Sequence, residues 1–142
     1  MRLPLAILAA LVLAAGATAD SIVVPLTVRP GSLSLAPASV VARAGQATVN
    51  VIDARGKGSG WELLARVPAL RPVVLGVAAR CLPHSTCTLP RTSLRYPIVL
   101  NPLRPTVVYR AQPRTGMGAI GLTLRLGGVL GASAVRFLVR SS

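Results

Sequence analysis

Proline and glycine interrupt this chain so often that ordinary helices have no room in most of it. There are 12 prolines and 13 glycines. Past residue 19, no run of about a dozen residues keeps apolar positions at i, i+3, i+4 and i+7 without one of these breakers intervening. The intervals hold short runs that alternate apolar with polar or are rich in β-branched residues, the pattern of half-buried strands. Strands are expected at residues 22–28, 39–43, 47–52, 61–67, 73–79, 106–111, 119–126 and 133–140. Such spacing predicts an all-β chain, an antiparallel β-sandwich of about 7–9 strands or the related barrel. Residues 82–105 break the rhythm and read as a long excursion. Ala36-Pro37, Val67-Pro68 and Asn101-Pro102 mark loops or sheet edges, because proline cannot donate to a ladder.

Alternation also assigns faces. Ala47, Val49 and Val51 share one side of their strand, with Thr48 and Asn50 on the other. Ile120, Leu122, Leu124 and Leu126 oppose Thr123 and Arg125, while Val135, Phe137 and Val139 oppose Arg136 and Arg140. Arginine therefore falls on outward faces. Pairing of the two late strands would gather Arg125, Arg136 and Arg140 into one basic patch.

Those arginines belong to a large excess. The chain has 16 Lys plus Arg against 3 Asp plus Glu, a net charge of +13, and every basic residue except Lys57 is arginine. A field of this sign attracts anionic polymers and weakens with salt. The plainer reading is that arginine merely solvates the outward sheet faces; composition does not choose between the two.

The N-terminus sets the surroundings in which that charge acts. Met1-Arg2 precedes an apolar run from Leu3 to Ala15, and Ala17-Thr18-Ala19 follows. The run is shorter than the roughly 18 to 20 residues of a membrane-crossing helix, and the order is that of a cleavable secretory signal. Residues 1–19 are expected to be that signal, and residues 20–142 one domain without a transmembrane segment. The expected destination is the cell surface, the periplasm or the medium. Export argues against nucleic acid as a partner, as does an aromatic content of 3%, which leaves few platforms for stacked bases. Acidic wall glycans, lipid headgroups and acidic protein surfaces remain.

Export also favours a disulfide between Cys81 and Cys87, which would pin a short loop and contribute roughly 2 kcal/mol by loop closure. The competing reading is a metal site built from Cys81, His84 and Cys87. It has no evident fourth ligand, and its spacing is not a usual zinc pattern.

Trp61 is the only tryptophan. It follows a strand ending at Asp53, then Arg55-Gly56 and Gly58-Ser59-Gly60. The glycines supply positive φ for a turn, and Asp53 and Arg55 stand where a side-chain bond or ion pair would brace a sharp connection between neighbouring strands. Trp61, Leu63, Ala65 and Val67 then share one face, opposite Glu62, Leu64 and Arg66. Trp61 reads either as a core anchor with Leu63 or as an exposed platform for a sugar ring beside Arg66.

From Asp53 through Arg55, Gly60, Trp61 and Leu63, this segment resembles the WxL domain of bacterial surface proteins and its looser WxL-like relatives. The stretch from Leu33 to Val40 and Gly116-Met117-Gly118 extend the likeness. The resemblance implies a secreted β-rich domain held non-covalently at the cell surface, through peptidoglycan or partner surface proteins. The family commonly repeats Trp-x-Leu in its last strand; here that place holds Val135-Arg136-Phe137-Leu138-Val139-Arg140, so Trp61 and Leu63 are the residues that carry across.

The sequence offers little for catalysis. Acid–base or glycosidase chemistry needs two positioned carboxylates, and past residue 19 the chain has Asp20, Asp53 and Glu62 alone. No nucleophile elbow accompanies His84, and no phosphate or dinucleotide fingerprint occurs. The expectation is a non-enzymatic protein without cofactor or metal. It would bind an envelope polymer, with Arg66, Arg125, Arg136 and Arg140 as candidate contacts, or a partner surface protein. The alternative is a structural subunit of a pilus-like or coat-like assembly, in which residues 22–28 pair along a sheet edge.

Overall fold

The computed structural model describes residues 31–128 and 133–142. The expected signal, Asp20 and the expected strand at 22–28 lie outside the described residues. Nine strands form among the described residues: β1 (Leu33–Ala36), β2 (Ser39–Val41), β3 (Gln46–Asp53), β4 (Trp61–Arg66), β5 (Val73–Cys81), β6 (Ile98–Val99), β7 (Thr106–Ala111), β8 (Gly118–Gly127) and β9 (Ala134–Ser141). They build two stacked antiparallel sheets, one of five strands in the order β1-β3-β8-β5-β6 and one of four in the order β2-β9-β4-β7. The chain is an all-β sandwich. No helix long and apolar enough to cross a membrane occurs among the described residues.

Seven expected strands are present within a residue or two of their predicted ends, and β1 and β6 add to them. Among the described strands, the step from β5 to β6 stays within a sheet, and every other consecutive pair lies in opposite sheets. This corrects two expectations. The glycine-rich segment after β3 does not join neighbouring strands; it carries the chain from one sheet to the other. Nor do the two late strands pair, because β8 lies between β3 and β5 while β9 lies between β2 and β4.

Burial follows the alternation. Ala47, Val49 and Val51 oppose Leu124, Leu122 and Ile120 across the β3–β8 pair, and all six are buried. From the four-stranded sheet, Trp61, Leu63, Ala65, Val108, Val135 and Phe137 meet them. Directly opposed apolar side chains fall in shared rows, so the two inner faces close into one core.

Residues 82–105 close one side of the sandwich. Cys81 and Cys87 are disulfide-bonded, with Cα atoms 5.6 Å apart. Beyond the bridge, Thr88 N donates to Met117 O at 2.9 Å and Gln112 N donates to Arg91 O at 2.9 Å, so the segment runs beside the connection between β7 and β8. Tyr96 Oη then donates to Val108 O on β7 at 2.7 Å, and β6 returns to pair with β5. A proline-rich stretch that offers few ladder donors is thus held by scattered backbone and side-chain bonds.

Candidate functional site

The residues singled out around Trp61 form one cluster at the end of the sandwich. Asp53 closes β3 and is 3% exposed. Arg55 Nε donates to Asp53 Oδ1 and Nη2 to Oδ2, both at 2.9 Å, in a bidentate pair, and its backbone N adds a bond to Oδ1 at 3.2 Å. The same guanidinium reaches Gly60 O at 2.8 Å through Nη2 and Ser141 Oγ at 2.7 Å through Nη1. One arginine therefore ties the end of β3, the start of β4 and the end of β9 together. The hydrogen bond from Arg55 holds the Asp53 carboxyl below the usual carboxylate range against the opposing effect of burial, and the same bond raises Arg55. Gly60 has φ +83°, and a β-carbon there would lie 2.6 Å from Ala111 O, so no other residue fits beside the clamp.

Trp61 is fully buried. Its indole Nε1 donates to Gly116 O at 2.8 Å, and its ring stacks on Tyr109 with centroids 5.8 Å apart. Tyr109 Oη in turn donates to Pro90 O at 3.1 Å, which joins the cluster to the excursion behind the disulfide. Of the two readings of Trp61, core anchor is the one realised, and a side chain without exposed surface is no sugar platform. Leu63 is equally buried.

Glu62 lies on the opposite side of β4, as alternation requires, yet it is 7% exposed. The reason is its position on an inner strand, where long arginines from both neighbours fold over it. Arg110 Nε on β7 donates to Oε1 at 2.7 Å, and Arg140 on β9 reaches Oε2 at 2.7 Å. Arg140 and then Arg110 hold the carboxyl below its usual range. Arg110–Glu62–Arg140 is the first of three rows across the outward face of the four-stranded sheet. An apolar row, Val107–Leu64–Leu138, follows it, and beyond that Arg66 sits opposite Arg136.

The expected basic patch is consequently divided. Arg66, Arg136 and Arg140 share the face of the four-stranded sheet, where Glu62 engages Arg140, whereas Arg125 lies on the far face of the sandwich. Sequence reasoning had no means to place β8 and β9 in different sheets, because alternation fixes a face relative to its own strand only.

On the five-stranded sheet the outward rows run Gln46–Arg125–Gly76, then Thr48–Thr123–Ala78, then Asn50–Gly121–Arg80. Thr48 and Thr123 share a hydrogen bond of 3.2 Å between their hydroxyls. A β-carbon on Gly76 would lie 3.7 Å from Arg125 Nη2, and one on Gly121 would lie 3.6 Å from Arg80 Cγ. The Arg125 guanidinium therefore rests over Gly76, whereas Gly121 is flanked by the Arg80 stem together with Leu82 and Asn50. Arg80 was missed in the sequence because β5 extends two residues beyond its expected end, and Arg110, Tyr109 and Ser141, with the role of Gly116 as acceptor for Trp61, were missed because they depend on neighbours distant in sequence.

The bonded state of Cys81 and Cys87 removes the thiolates that the alternative metal site required. His84 is exposed in the loop they close. A shallow depression of about 320 Å³ beside it is lined by Thr86, Cys87, Thr88, Met117 and Gly118, none of which titrates. Compared with known protein families, characterised proteins and solved structures, the chain gives no match.

Proposed function

We propose that this protein is a secreted, non-catalytic cell-surface module of WxL-like type that attaches non-covalently to an anionic polymer of the cell wall or envelope. Residues 1–19 serve as its export signal. The observation that carries the reading is the fate of the acidic groups: Asp53 and Glu62 are both held by arginines, and the other described arginines have no side-chain carboxylate partner among the described residues. The sandwich thus presents positive charge with almost no compensating negative charge among the described residues, which favours an extended anionic ligand over a small substrate.

Incubation with isolated envelopes at low and high salt tests this. The protein is expected to sediment with envelopes at low salt and to be released at high salt, with binding surviving protease treatment of the envelopes. Absence of sedimentation, or sedimentation indifferent to salt, sinks the reading. Loss of binding after protease replaces the polymer by a partner surface protein. The exported form should begin at Asp20, a point that N-terminal sequencing checks directly.

A further inference from the structure

Resting on that functional reading, we infer that the polymer is an acidic polysaccharide seated on the outward face of the five-stranded sheet, between Arg80 and Arg125. Gly121, the cross-strand partner of Arg80, stands four residues before Arg125 on β8. The two arginine positions are therefore about 14 Å apart along the strands, by the ordinary rise per residue. Between them lies the row Thr48–Thr123–Ala78, whose side chains are short. The result is a shallow trough with a guanidinium at each end and two hydroxyls and a methyl as its floor.

This arrangement suits a glycan in particular. Guanidinium groups take carboxylate, sulfate or phosphate oxygens in bidentate fashion, and hydroxyls both donate to and accept from sugar hydroxyls. The Arg125 guanidinium is laid across Gly76, so less of its side-chain freedom is lost on binding, while Arg80 passes its stem beside Gly121 and is exposed. Among the described residues, no carboxylate lies in the trough to compete. The opposite face differs in its charge, because Glu62 already occupies two of its arginines and the row holding Leu138 separates these from Arg66 and Arg136. With Trp61 buried, recognition on the five-stranded sheet proceeds without aromatic stacking and depends on salt.

The test measures binding of the full exported chain to immobilised heparin and polygalacturonate, with neutral dextran as the blank, alongside thermal melting. Arg80→Gln and Arg125→Gln are each expected to weaken retention on at least one acidic glycan about tenfold, and the double variant more, with melting unchanged. Thr123→Glu keeps both arginines but places a carboxylate between them, as Glu62 does on the other face; it should weaken retention as much as the double variant. Arg95→Gln/Arg104→Gln removes equal charge from the excursion and should have little effect. The inference is overturned if Arg66→Gln/Arg136→Gln abolishes retention while Arg80→Gln/Arg125→Gln does not, an outcome that leaves the functional reading intact. It is also overturned if all charge removals weaken binding equally. Failure of the unmodified protein to bind either acidic glycans or envelopes removes the functional reading itself.

Discussion

Arg55 and Arg125 illustrate two uses of one side chain in two regions of this molecule. At the end of the sandwich, Arg55 is largely buried, makes a bidentate pair with Asp53 and ties three strand ends together. On the outward face of the five-stranded sheet, Arg125 is exposed and lies over Gly76, with no carboxylate partner among the described residues. The difference comes from the location of acid, not of arginine. A carboxylate within reach turns a guanidinium into part of the framework, and its absence leaves the guanidinium free for a ligand. Glu62 shows the intermediate case, with a well-buried carboxylate held by arginines that are about half exposed. The large net charge of this chain is thus a poor guide to the charge available for binding, which among the described residues depends on where Asp53 and Glu62 sit.

The contrast can be broken most forcefully at the framework end. Trp61→Ala removes the stack on Tyr109 and the bond to Gly116, and should lower stability by about 3–5 kcal/mol in urea unfolding. An effect close to that of a surface substitution would mean that this end is not the anchor. Arg55→Ala should cost roughly 3 kcal/mol, because it strands Asp53 in a buried position. Removing both members in Asp53→Ala/Arg55→Ala should cost less than the sum of the two single losses, a comparison that a double-mutant cycle reads directly.

Acid titration sharpens the same contrast. Both Asp53 and Glu62 are depressed in the folded state, so the stability they contribute is full above the unfolded carboxylate range near about pH 4 and is lost as pH falls through their folded values. Melting temperature should be level from neutrality down to that range and decline below it. In Arg55→Ala the part owed to Asp53 should vanish, making the decline shallower. Glu62→Gln should cost about 1 kcal/mol in urea unfolding, since solvent screens its half-exposed partners. The smallest effect on stability belongs to Arg80→Gln/Arg125→Gln, expected within about 0.5 kcal/mol of the unmodified chain. A large destabilisation there would show that these arginines too are framework and would erase the distinction.

Periodicity read within a strand was a reliable guide here. Each alternating run from Ala47 to Val51, from Ile120 to Leu126 and around Val135 and Phe137 turns its apolar side to the core, because successive side chains of a strand must point to opposite faces. The glycine turn before Trp61, the Asp53–Arg55 brace and the Cys81–Cys87 bridge were legible for the same reason, since each is a local arrangement of residues close in the chain. β1 and β6 were not, for four and two residues are too few to display a period.

Other features arise only when distant segments meet. Whether β8 pairs with β9 depends on which strands their edges find, and alternation carries no information about that. The burial of Glu62 depends on Arg110 and Arg140 arriving from 48 and 78 residues away. The trough between Arg80 and Arg125 exists because β5 and β8 are neighbours in a fixed register. The sequence by itself determined that this chain forms strands, which side of each is apolar, and that it carries far more base than acid. Tertiary structure alone decided which arginines meet a carboxylate, because a side chain's direction is set by its own backbone but its partners are set by the strand packed alongside.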